Sequence, residues 1–73
     1  MLSALDLKSI ASAGGNLTID GNLYSALDLK GIAKAGVKYG STLLIKNAGK
    51  FSALDCKSIA AANPCKVTFD FGE

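Results

Sequence analysis

The sequence predicts an α/β fold: a short right-handed α/β solenoid of three helix–strand repeats. Its three-stranded parallel sheet is expected to carry helices on one face. Three observations lead there. Ser3 to Gly14 (SALDLKSIASAG), Ser25 to Gly36 (SALDLKGIAKAG) and Ser52 to Asn63 (SALDCKSIAAAN) are copies of one block, identical in eight of twelve columns. Each block carries signals for starting and stopping a helix. Each is followed by a short alternating segment that reads as a strand.

The helices come first in each unit. Ser25 is placed to cap the central helix, since its hydroxyl can accept from a first-turn amide. Asp28, three residues on, is the reciprocal partner of a capping box and faces the positive end of the helix dipole. Ser3 with Asp6 and Ser52 with Asp55 repeat the arrangement. Capping accounts for these aspartates without any catalytic role. Tyr24 before the cap and Leu29 in the helix form a hydrophobic staple, repeated as Leu2 with Leu7 and Phe51 with Cys56. Gly36 is expected to close the helix in the left-handed conformation, with Gly14 and Asn63 as its equivalents. Pro64 then forbids continuation.

Helical periodicity gathers Ala26, Leu29, Ile32, Ala33 and Gly36 on a core-facing side. The strands alternate in Leu17–Asp20, Leu43–Lys46 and Val67–Asp70. Leu17, Ile19, Leu43, Ile45, Val67 and Phe69 should meet the helices, while Thr18, Asp20, Leu44, Lys46, Thr68 and Asp70 form an open sheet face.

The chain's 73 residues make a single repeat domain, 1–73, with units of about 1–21, 22–47 and 48–73. With 49% hydrophobic and 19% charged residues it is too apolar for a disordered chain. It lacks histidine and has two cysteines, too few ligands for a structural zinc site. No metal, cofactor or catalytic constellation is expected. Cys56 stands in a core position and Cys65 opens the last strand about 10 Å away, beyond disulfide reach. Free thiols and a reducing compartment follow as expectations. Asp6 and Lys8 interrupt any leader-like apolar run, and no stretch is long enough to span a bilayer, so the expected location is the cytoplasm.

Leu17-Thr18-Ile19-Asp20-Gly21-Asn22 fits the L-x-L-x-x-N core of the leucine-rich repeat. Ser25 to Ala33 resembles the helical half of such repeats. In the second unit Asn47 falls one place early, and Ala48 stands in the asparagine's position. The chain is therefore leucine-rich-repeat-like, a resemblance that implies protein binding on the sheet face and no catalysis.

A domain this short has a thin core, so association is the expected source of further stability. Lys66, Val67, Thr68, Phe69, Asp70 and Phe71 would form an edge strand rich in β-branched and aromatic residues, open to another chain. The expected function is that of a non-catalytic structural or protein-interaction domain. It would be a homo-oligomer, self-associating through this edge or by stacking of end repeats. The open sheet face, Thr18, Asp20, Leu44, Lys46, Thr68 and Asp70, is a second interaction surface. There Asp20, Lys46 and Asp70 are expected to pair charge across strands.

Leu5, Leu27 and Leu54 share the second helical position. They would form either an apolar stripe on the convex side or, as the simpler expectation, a cover over the preceding loops against Tyr24 or Phe51. The alternative function is nucleic-acid or anionic-surface binding by lysines, of which Lys8, Lys30, Lys34 and Lys57 share the helical side. A net charge of +2 with no arginine argues against it.

Overall fold

The computed structural model describes residues 1–72. Three helices, α1 (Ala4–Ser12), α2 (Ala26–Ala35) and α3 (Ala53–Ala62), alternate with three strands, β1 (Leu17–Asp20), β2 (Leu43–Lys46) and β3 (Val67–Phe69). The strands form one parallel sheet in the order β1-β2-β3. The chain is thus α/β with a three-stranded parallel sheet. Short 3-10 turns, Gly21–Leu23 and Ala48–Lys50, follow β1 and β2. Nothing in the sequence pattern predicted them.

The helices begin where the serines place them. Ser3 Oγ accepts from the Asp6 N–H at 3.1 Å, and Asp6 Oδ2 accepts from the Ser3 N–H at 3.3 Å, completing a capping box. In α2 and α3 the serine half is made, with the Asp28 and Asp55 N–H groups donating to Ser25 and Ser52 at 3.1 Å.

The helix ends differ from expectation. Gly14 is left-handed (φ 102°), but Gly36 is right-handed (φ −83°) and Asn63 lies outside both helical regions (φ −149°, ψ 78°). Gly36 is required for space instead. A side chain there would come within 2.9 Å of Ser41 Cβ and 3.4 Å of Asn63 Nδ2. The chain reverses later, at Gly40 (φ 71°). Asn63 precedes Pro64, whose ring disfavours the helical region for the residue before it. The left-handed position therefore moves to Cys65 (φ 68°).

Leu29, Ile32, Ile45 and Ile59 are fully buried and join Leu7, Ile19 and Leu43 in one core between helices and sheet. Burying each such side chain contributes about 1.5–3 kcal/mol. The strand pattern explains the placement. Leu17, Val67 and Phe69 pack partly against the same cluster, while Thr18 and Thr68 are exposed on the opposite face. A buried polar relay crosses the units beside this core. Ser41 Oγ donates to Ala11 O at 2.9 Å, and Asn63 Nδ2 donates to Ser41 O at 3.1 Å.

Candidate functional site

The β3 edge is shaped by a simple alternation. Leu43 N–H donates to Lys66 O at 2.9 Å, Asp70 N–H donates to Ile45 O at 2.8 Å, and Ala48 N–H donates to Asp70 O at 3.0 Å. Residues 66 and 70 thus turn their backbone toward β2. In a parallel ladder the odd residues between them turn theirs away. The N–H and C=O groups of Val67 and Phe69 accordingly point off the sheet.

Side chains along this edge alternate as well. Lys66, Thr68 and Asp70 are exposed, whereas Val67 and Phe69 are half-buried. The Phe69 and Phe71 rings stack with centroids 6.0 Å apart, and Phe71 remains 61% exposed. The regular strand stops at Phe69, one residue short of the expected end, although Asp70 keeps its backbone bonds to the neighbouring chain segment.

On the open face, Thr18 lies beside Leu44 and Leu44 beside Thr68, with Asp20 opposite Lys46. Leu44 is half-buried among the threonines. The expected Asp20–Lys46 pairing gives way to a hydrogen-bonded arrangement. Asp20 Oδ1 accepts from Asn47 Nδ2 at 3.0 Å and from the Asn22 N–H at 2.9 Å. The Asn47 bond, then the Asn22 bond, holds the Asp20 carboxyl below its ordinary value, with a smaller contribution from the Lys50 charge. Two fixed donors at the end of the strand compete better for this carboxylate than a flexible, solvated lysine. Asn47 itself is left-handed (φ 56°), which asparagine tolerates better than most residues. Its place just after β2, before Ala48-Gly49, was the signal available in the sequence.

Leu5, Leu27 and Leu54 overturn the simpler expectation. They are 75%, 79% and 75% exposed, and so do not cover the preceding loops. The reason lies in the rings meant to receive them. Tyr24 and Phe51 turn inward against the core, and the Tyr24 hydroxyl donates to Leu2 O. The leucines therefore stand exposed in the first turns of the three helices. The groove between α2 and α3 is lined by Leu27, Lys30, Asp55 and Ser58.

The lysines do not form one free cationic field. Lys8 is half-buried, its stem lying where a side chain on Gly31 would sit, with Lys8 Cε 2.6 Å from that position. Lys38 lies over the Tyr39 ring at 5.3 Å and Lys50 over the Phe51 ring at 5.0 Å. Lys30, Lys34 and Lys57 remain exposed on the helical side.

Cys56 and Cys65 are free thiols. Burial, with help from the Asp55 charge, pushes the Cys56 thiol above its ordinary value, which disfavours the reactive thiolate. Among the described residues no group of three or more His, Cys, Asp or Glu is placed to hold a metal ion. No helix among them is long and apolar enough to cross a membrane. Comparison with protein-family models, curated proteins and solved structures finds no match. The most distinctive part of this surface is the β3 edge, where the backbone groups of Val67 and Phe69 face off the sheet.

Proposed function

We propose that this chain is a non-catalytic protein-interaction domain that associates with itself through the β3 edge. Its three helix–strand units would form a short leucine-rich-repeat-like solenoid, as the threefold block implies. The observation that carries the reading is the backbone of Val67 and Phe69. Two sets of peptide groups face away from the sheet beside a stacked Phe69–Phe71 pair. Such an edge adds a strand readily, because main-chain hydrogen bonds supply affinity and the flanking side chains supply selection. The benefit is large for a chain of 73 residues, whose core is small relative to its surface. Two free thiols fit a reducing compartment such as the cytoplasm.

Sedimentation equilibrium over a wide concentration range tests this. The expected result is a mass rising from one chain to a defined multiple. A mass of one chain at every concentration would contradict it.

The lysine-mediated reading keeps one supporting observation, the exposure of Lys30, Lys34 and Lys57 on one side. It predicts binding to DNA or anionic vesicles that weakens steeply between roughly 50 and 200 mM salt. The occupation of Lys8, Lys38 and Lys50 by neighbouring groups makes it the lesser of the two.

A further inference from the structure

We infer that the occupant of the β3 edge is a second copy of β3, running antiparallel with Thr68 on the twofold axis. Lys66 of each copy then lies opposite Asp70 of the other. This rests on the self-association proposed above and specifies its partner strand and register.

The register follows from two constraints. Val67 and Phe69 carry the outward-facing backbone groups, so these residues must oppose one another for the ladder to form. Three central registers satisfy this. With Val67 on the axis, Lys66 meets Thr68 and Asp70 meets Pro64. With Phe69 on the axis, Thr68 meets Asp70 and Lys66 meets Gly72. With Thr68 on the axis, Lys66 meets Asp70 twice, and Val67 meets Phe69 twice.

Charge selects the last. In that register the Lys66–Asp70 and Thr68–Thr68 pairs are the non-hydrogen-bonded ones, where opposing Cα atoms approach to about 4.5 Å and side chains interact most. Lys66, Thr68 and Asp70 are all exposed, and the Asp70 carboxylate, which takes the Gly72 N–H on Oδ1 at 2.9 Å, keeps its second oxygen for a cross-strand partner. On the helical side, Val67 of one copy covers Phe69 of the other and extends the stacked aromatic pair.

Head-to-tail stacking, with β1 of a second copy continuing the parallel sheet, is permitted by the backbone but opposed by charge. The ladder pairs Leu17 with Leu43 and Leu43 with Val67. Continued by one more strand, it sets Asp20 of the second copy beside Asp70. The row would read Asp20, Lys46, Asp70, Asp20. The antiparallel dimer instead continues it as Asp20, Lys46, Asp70, Lys66, with signs alternating throughout. Twofold pairing also closes the assembly at two chains, whereas head-to-tail contacts propagate into fibres.

A charge-reversal cycle, read by sedimentation, tests the register. Lys66→Asp alone and Asp70→Lys alone each place like charges opposite one another twice per dimer. Each is expected to raise the dissociation constant roughly tenfold or more. The double variant Lys66→Asp/Asp70→Lys restores the wild-type value, and an equimolar mixture of the single variants forms a heterodimer tighter than either homodimer. A Thr68→Cys variant in a Cys65→Ser background provides a second readout, because its axial pair falls within the Cα separation of a disulfide. Oxidation should give a 68–68 cross-link on peptide mapping. If the wild type associates but the reversals have no effect, or the cross-link is absent, the register is wrong and the edge reading survives. If the wild type is one chain at all concentrations, both fail.

Discussion

At the β1 edge, Asp20 ends a four-residue strand with its carboxylate already satisfied by Asn47 and Asn22. At the β3 edge, Asp70 follows a three-residue strand, and among the described residues its carboxylate receives only the Gly72 N–H, at 2.9 Å. Ile19 of β1 is buried, while Phe69, two ladder positions along the same row, is half-exposed. One sequence unit thus produces two edges of different character. The lesson is that repetition fixes where strands lie, while a few substitutions at their ends decide which edge remains available.

The largest expected effect comes from exchanging the two edges' apolar residues for alanine. Ile19→Ala should cost about 2–5 kcal/mol, because the cavity lies inside the core. The loss should be the same at low and high protein concentration in denaturant titrations. Phe69→Ala should cost less in the dilute monomer, where the ring is only half-buried, and should abolish the concentration-dependent part of stability. If the two variants showed the same concentration dependence, the distinction between the edges would collapse.

A smaller effect separates the carboxylates. Asn47→Gly keeps the left-handed backbone and removes the bond to Asp20, so the Asp20 carboxyl should titrate closer to its ordinary value near 3.8. The folded carboxyl lies below its unfolded value, so this bond stabilises fully above that pH. The contribution is lost as pH falls through the folded value. The deficit of Asn47→Gly should therefore be present at pH 7 and shrink as the pH falls below the ordinary value near 3.8. Asn47→Ala should cost about 1 kcal/mol more, from the strained left-handed alanine. A deficit that grows in acid would mean Asp20 is not the partner that matters.

The smallest effect sharpens the comparison by exclusion. Replacing Leu5, Leu27 and Leu54 together by serine should leave stability within about 1 kcal/mol, since all three stand in solvent. The dissociation constant should not move. A large drop in self-association would transfer the interface from β3 to these leucines.

Much of this fold was legible in the chain. Ser3, Ser25 and Ser52 located three helix starts, and the alternation at Leu43-Leu44-Ile45-Lys46 placed Leu43 and Ile45 inward. These features are local, set by one residue's bond to a nearby amide or by a period of two. What eluded the sequence depends on contacts between units. Gly36 looked like a left-handed stop, but it is small because Ser41 and Asn63 crowd it. The Asn63–Ser41–Ala11 relay joins residues 22 and 30 positions apart, with no motif to announce it. Asp20 and Lys46 were rightly placed side by side, yet Asn47, one residue further on, takes the carboxylate. Of the two readings of Leu5, Leu27 and Leu54, the loop cover fails because the inward turn of Tyr24 and Phe51 is a packing choice.

Amide hydrogen exchange as a function of protein concentration tests the central claim most directly. The Val67 and Phe69 amides, unprotected in dilute solution, should slow as concentration rises. The outward-facing Thr18 amide of β1 should keep its rate, because that edge stays free in the dimer. Concentration-independent exchange at Val67 and Phe69, or protection appearing at Thr18 instead, would contradict it.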